Sequence, residues 1–297
     1  MATARVAADG STRDVAAPDE RAPPRPRRHG HLGRRRAGTY APPVQHHRRH
    51  PVFALSLAFA LAASLTAAGP TPQPAKGALP LAGIVIAIDP GHNGGNASHV
   101  AYINHLVWIG NRWKACDTVG TSTRSGWPEH RFTWLVAGLV KAKLQALGAT
   151  VVLSRNSDTG YGPCVNTRGT YAAAAHARLK VSIHGDGALS ADHGFFVMKP
   201  GLVPGYTNDI LTSSARLATT VRTGLLRAGL GVANYYATNG IKTRTDLGGL
   251  NMSDVPAVMV ELGNMKNAGD AARMLSSTGR NQYASGLVAG IRLFLGR

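Results

Sequence analysis

Between residues 83 and 297 the chain alternates short apolar runs with longer stretches whose apolar residues recur every three to four positions. Gly83–Asp89 is a continuous run rich in β-branched residues, the pattern of a strand buried on both faces. Thr150–Ser154, Lys180–His184, Gly194–Met198 and Ala257–Glu261 repeat it in shorter form. Glu129–Leu147 places Phe132, Leu135, Val136, Leu139, Val140, Leu144 and Leu147 on one helical face and stops at Gly148. Thr167–Ala177 reads as an Ala-rich helix, and Ile210, Leu217, Val221 and Leu225 mark another. Asp270–Leu275 and Arg280–Leu295 are the last two helices, the final one with Tyr283, Leu287, Ile291 and Phe294 along one side. Strands alternating with helices predict an α/β fold: a single domain with a mainly parallel twisted sheet and helices on both faces. Asn93–Trp127 stands apart as an irregular excursion rich in Gly, Ser, Thr and Trp, of a length common among functional loops.

The apolar runs end on reactive side chains. Ile84–His92 reads IVIAIDPGH, Val181–His184 reads VSIH and Val258–Glu261 reads VMVE, while Glu129 in WPEH opens a helix. Strand C-terminal ends are where an open α/β sheet presents its chemistry. Each residue has an ordinary reading. His92 could be a surface loop residue, Glu129 a favourable helix-start charge and His184 a satisfied core histidine. Glu261, directly after Ala-Val-Met-Val, is poorly placed without a partner or a cavity. Together and in this order they predict a zinc hydrolase. Two His and one Glu make a complete protein ligand set for one catalytic Zn2+ per chain at the strand C-terminal ends, and a second Glu remains to move protons.

Charge is uneven. Of the total of +18, a net of +7 falls in residues 1–50, which hold 11 Arg, 4 acidic residues and five of the 12 His. This Arg/Pro-rich extension has almost no apolar periodicity and is expected to be disordered. It reads either as a tail for nucleic acid or an anionic surface, or as an overlong basic region before a targeting segment. Val52–Ala68 favours the second: it is uncharged, Leu/Ala-rich, preceded by Arg48 and Arg49, and closed by small residues. Residues 51–69 are therefore expected to be the hydrophobic region of a signal peptide, the alternative being an uncleaved anchor. Residues 70–82 form a Pro-rich linker and 83–297 the catalytic domain. The expectation is an exported monomer in the periplasm, in the cell wall or secreted, touching the membrane only transiently through the signal segment and binding no nucleic acid. In an exported chain, two cysteines predict one disulfide, Cys116–Cys164, rather than two free thiols.

At Asp89-Pro-Gly-His92, Glu129, Ser182-Ile-His184 and Glu261-Leu-Gly263, followed by Asn264 and Asn267, the chain resembles the zinc-dependent N-acetylmuramoyl-L-alanine amidases of the type 3 amidase family, in particular single-domain actinobacterial cell-wall amidases. The resemblance covers Gly83–Arg297. It implies a peptidoglycan hydrolase, an autolysin that cleaves the amide between N-acetylmuramic acid and the L-alanine of the stem peptide in peptidoglycan or muropeptide fragments. By resemblance His92, Glu129 and His184 map onto the metal ligands. Glu261 maps onto the catalytic glutamate, base for the water and then acid for the leaving amine. The family pattern selects Glu129 over His130, which projects about 100° further around the helix. Arg155, Asp158 and Arg168 match further family positions and read as structural ion pairs or hydrogen-bonding groups. Gly185 stands where Ala is common, Asp186 where Asn or Asp is common and Ala173 where Asn is frequent, so substrate-binding residues stay unassigned. Some members plug the zinc with a Glu on an inserted helix. The equivalent span here, Asn93–Pro128, has no Glu and no helical pattern, which predicts an open groove with Cys116 tying the loop to Cys164. The competing readings are a wall-binding regulator on the same fold, which would be expected to lose a ligand or the catalytic Glu, and a zinc peptidase or deacetylase of similar geometry.

Overall fold

The structure, a computed structural model, describes residues 79–297. The basic extension, the hydrophobic segment 51–69 and most of the linker lie outside the described residues.

In chain order, β1 (Val85–Pro90) leads through a 3-10 turn, Asn96–Ser98, into α1 (Val100–Asn104) and the hairpin β2 (Leu106–Trp108) and β3 (Trp113–Ala115). Next come α2 (Glu129–Ala146), β4 (Thr150–Leu153), α3 (Val165–Ala174), β5 (Lys180–Asp186), β6 (Phe196–Pro200), α4 (Leu211–Arg227) and β7 (Ile241–Arg244). The chain ends with α5 (Gly248–Asn251), β8 (Ala257–Asn264), α6 (Ala268–Leu275) and α7 (Ser277–Leu295). Asn267 caps α6 and Ser276 caps α7 by accepting first-turn N–H groups.

The main sheet has the order β4-β1-β5-β8-β6-β7. β4, β1, β5 and β8 run parallel, whereas β6 pairs antiparallel with β8 and parallel with β7. The expected mainly parallel sheet is present, with its direction reversed over two strands. The loop between β5 and β6 carries no helix, so this connection lacks the helical crossover that usually returns a parallel strand. Helices cover both faces. Ile86, Ile88, Val181, Ile183, Val258 and Val260 pack with α2, α4 and α7 in the largest core cluster. Alternation along the same strands turns Ala87 the other way, against Ala172 and Ala177 beneath α3. Leu81 already belongs to the core, and its N–H bonds the Leu147 carbonyl at 2.8 Å.

The excursion differs from its irregular expectation by carrying a five-residue helix and a hairpin. Both are too short to show a period in the sequence. β7, reading IKTR, also gave no apolar signal, because it is a half-exposed edge strand. On α2, Phe132, Val136, Val140 and Leu144 are buried as predicted, while Leu135 faces outward.

Helices α4 and α7 approach closely at glycines. A Cβ on Gly224 would lie 2.3 Å from the Gly286 carbonyl oxygen and 2.4 Å from the Gly290 nitrogen. Gly224→Ala is therefore expected to cost roughly 1–3 kcal/mol of stability by forcing the helices apart. Gly138→Ala, on the exposed side of α2 with no neighbour within 4 Å, should instead add about 0.5–1 kcal/mol. Urea titration of the two variants checks the opposite signs.

Candidate metal centre and catalytic cavity

The four predicted residues meet at the C-terminal edge of β1, β5 and β8. β1 runs out through Pro90 and Gly91 to His92, and the Gly91 N–H still bonds the Ile183 carbonyl of β5 at 2.9 Å. Gly91 must be glycine: a Cβ there would lie 2.2 Å from the His184 ring. His184 sits near the end of β5 and pairs in register with Glu261 on β8. Glu129 is the first residue of α2, after Pro128 at the N-cap, and its N–H bonds the Thr121 carbonyl at 2.9 Å.

Two imidazoles converge on one carboxylate. His92 Nε2 lies 3.2 Å from Glu129 Oε2, and His184 Nδ1 lies 2.9 Å from Glu129 Oε1. The three donor atoms all fall within 4.8 Å of one another. Ligands of a tetrahedral zinc with bonds of 2.0–2.2 Å are about 3.3–3.5 Å apart, so the donor set fits such an ion in spacing and in chemistry. Surrounding groups fix its orientation. His92 Nδ1 is 3.0 Å from the Thr118 carbonyl, which leaves Nε2 turned to the centre. The N–H groups of Thr121 and Gly185 donate to Glu129 at 2.9 and 3.1 Å. Burial opposes charge on His92, but Glu129 and Asp117 outweigh it and push its pKa up to about 10. Burial likewise opposes charge on Glu129, but the two histidines hold its carboxyl well below the usual range. The centre therefore favours a positive charge between these side chains.

Glu261 has the opposite setting. Its Oε2 is shielded from solvent and has no hydrogen-bond partner among the described residues. Burial, with Glu129 and Asp186 nearby, pushes its pKa well up. It lines the same cavity as His92, Glu129 and His184, a space of about 440 Å³ open to the surface.

His130 turns away from the centre and pairs with Asp158 at 2.9 Å. Arg155 joins that pair at 2.9 Å and also bonds the Pro90 and His130 carbonyls. Arg168 bonds Asp89 at 2.7 Å and Asp117 at 3.2 Å. Cys116 and Cys164 form a disulfide, so the second clustering of metal-ligand types, with His105, has no free thiol. Gly185, where the family often has Ala, has little room: a Cβ would meet Met265 at 3.2 Å and Phe132 at 3.3 Å. Ala173 packs beside the Ala87–Ala172 cluster, and Asp186 accepts from the Tyr235 hydroxyl at 2.5 Å. Sequence reasoning missed Asp117, Thr121, Tyr235 and Arg244. Of these, only Asp117 had a signal, its place beside a bridged cysteine.

Residues 86–292 match the family model described as N-acetylmuramoyl-L-alanine amidase. Over 216 residues the chain is 42% identical to an N-acetylmuramoyl-L-alanine amidase of Mycobacterium tuberculosis, covering 72% of this chain and 88% of that protein. It is similar to the crystal structure of the N-acetylmuramyl-L-alanine amidase Ami1 from Mycobacterium smegmatis, at 39% identity and a TM-score of 0.69, over 73% of this chain and 98% of that one. Ami1 from Mycobacterium abscessus matches at 40% identity and a TM-score of 0.68, over 72% and 100%. On these matches the chain belongs to the N-acetylmuramoyl-L-alanine amidase family.

Proposed function

We propose that this protein hydrolyses the amide joining N-acetylmuramic acid to the L-alanine of a peptidoglycan stem peptide, with one zinc held by His92, Glu129 and His184. The observation that carries this reading is the convergence of two imidazole nitrogens on Glu129, in the same cavity as Glu261, whose Oε2 has no hydrogen-bond partner among the described residues. Zinc bound there supplies Lewis acidity, both to acidify water and to polarise the amide carbonyl.

The chain's own residues supply the rest. Glu261 takes a proton from the attacking water as hydroxide oxygen bonds to the carbonyl carbon. It then gives that proton to the amide nitrogen as the C–N bond breaks, and the remaining proton of the new lactyl carboxyl group passes to the amine, leaving a lactyl carboxylate and the ammonium of L-alanine. Burial and the carboxylates of Glu129 and Asp186 raise its proton affinity, and a cation held by the three ligands would draw it back toward the range in which one carboxyl can both accept and donate. Thr118 and the N–H groups of Thr121 and Gly185 hold the ligands in place, so little reorganisation is needed during the reaction.

The reaction places the protein at the cell wall, outside the cytoplasmic membrane, and the hydrophobic segment before the domain supports export. Among the described residues no helix is long and apolar enough to cross a membrane. The excursion walls the cavity with Lys114, Ala115, Asp117, Thr118, Gly120 and Thr121 and brings no Glu to the centre. We therefore infer an open site that works without an activator protein.

Purified protein should contain near one zinc per chain and release intact stem peptide from muropeptides. Glu261→Gln is expected to keep the zinc and lose at least about 100-fold in kcat. Zinc with cleavage inside the stem, or activity only after an activator is added, would count against the reading. Metal analysis separates the ligands from their neighbour. His92→Ala should lose most of the bound zinc, whereas His130→Ala should retain a stoichiometry near one.

A further inference from the structure

The cavity extends from the four residues across the face of the sheet that carries Glu261, Met259 and Met198, and its far end is chemically different. Near the centre it is acidic, with Glu129, Glu261, Asp117 and Asp186 on its walls. Arg168 also reaches the wall there, but Asp89 and Asp117 compensate its charge. At the other end are two further cations, Lys114 from the hairpin and Arg244 from β7. Between the ends lie the apolar side chains of Met198, Met259 and Leu247.

Both cations are held in place. Arg244 Nε and Nη2 donate to the Asp246 carboxylate at 2.7 and 2.6 Å, and Nη1 donates to the Tyr236 hydroxyl at 3.1 Å. Lys114 alternates inward on β3 while Trp113 faces out, and its Nζ donates to the Asp246 backbone carbonyl at 2.9 Å. An ammonium has three donors, so two remain for a ligand. Asp246 balances one of the two cations and leaves the cavity end with an unbalanced positive charge. β6 separates β8 from β7, and the register sets Glu261 opposite Phe196 but Arg244 opposite Pro200, so the two backbones stand two strand spacings and four residues apart, roughly 16 Å. Their side chains close much of that gap, since both line one side pocket with Met198 and Tyr236, and leave a span that a short extended peptide covers.

We propose that Lys114 and Arg244 form a carboxylate subsite for the peptide arm of the substrate, selecting stems whose second residue carries a free α-carboxylate over those carrying a carboxamide. This rests on the amidase reading, which puts the scissile amide at Glu261 and the L-alanine side of the substrate in the cavity. The apolar stretch suits the aliphatic part of the intervening residues. A single carboxylate matches one unbalanced cation, whereas a dianion would be repelled by the acidic near end.

The test uses two N-acetylmuramoyl tripeptides that are γ-linked at the second residue and closed by a C-terminal amide. They differ only in having an acid or a carboxamide at that residue's α-carbon, so the free carboxylate can come from no later residue. Wild-type enzyme should show a KM about tenfold lower for the acid, the factor that corresponds to 1.4 kcal/mol, with similar kcat. Lys114→Met and Arg244→Met should each raise KM for the acid and bring the two substrates within about twofold. Lys143→Ala, in the last turn of α2, removes an equal charge elsewhere and should keep the preference. Equal KM values for the wild type, or variants that lower kcat on both substrates alike, would overturn the subsite. If wild type cleaves neither substrate, the amidase reading itself fails. Calorimetric binding of the free acid and carboxamide tripeptides then still reads the subsite: a preference for the acid that Lys114→Met abolishes supports it, and no preference refutes it.

Discussion

Asp89 and Arg168 form an ion pair at 2.7 Å that is almost wholly removed from solvent, and the position of the centre follows from it. Arg168 reaches from α3 across the end of β1. Besides Asp89 it bonds the carbonyls of Pro90, His92, Gly162 and Pro163 and the carboxylate of Asp117. One guanidinium thus joins the strand that leads to His92, the exit of the β2–β3 hairpin and the entry to α3. Burial raises the cost of charging Asp89, but Arg168, Lys180 and the hydroxyls of Ser154 and Ser182 outweigh it and hold the carboxyl well below the usual range. A buried pair need not add net stability over an apolar replacement, but removing one partner strands the other at a cost of roughly 3–5 kcal/mol. Its value here is positional, since five planar donors in fixed geometry define where three segments lie.

The excursion depends on the same anchor. Cys116 leaves β3 and is bridged to Cys164, which caps α3. The next two residues do the work at the centre: Asp117 accepts from Arg168, and the Thr118 carbonyl orients His92. Closing a loop of 48 residues restrains the unfolded chain by about 3–4 kcal/mol. In the folded state the bridge also keeps a stretch with little core of its own against the site it walls. A long loop can then serve as a rigid surface without regular structure.

The legible part of the sequence was the part governed by period and by strand ends. Strands β1, β5 and β8 read as apolar runs because they are buried on both faces, and each run pointed to a reactive side chain at the sheet edge. The Asp of Asp-Pro-Gly-His was readable only through family likeness, since its partner Arg168 lies 79 residues away and no local pattern links them. The same limit hid Asp117, Tyr235 and Arg244, whose roles arise from contacts between distant segments. Edge strand β7 and the hairpin escaped notice because half-exposed strands of three or four residues alternate too briefly to be told from loop. Gly91 is an intermediate case: the motif marked it, but only the His184 ring packed against it explains why no side chain fits.

Glu129 and Glu261 show how one residue type meets two opposite environments within a single cavity. Glu129 receives N–H groups from Thr121 and Gly185 and faces both imidazoles, so its negative charge is stabilised from every side. A carboxylate so fixed is well suited to bind a cation and poorly suited to exchange protons, because protonation would forfeit several of these interactions. Among the described residues Glu261 has an oxygen with no partner and has carboxylates for neighbours, so its charge is destabilised and its proton affinity is raised. A cation beside it would pull that affinity back down, toward the range in which it can take a proton from water and later release it to an amine. The environments push the two carboxyls apart in opposite directions, and that separation supports the proposed division, metal binding by the first and proton transfer by the second.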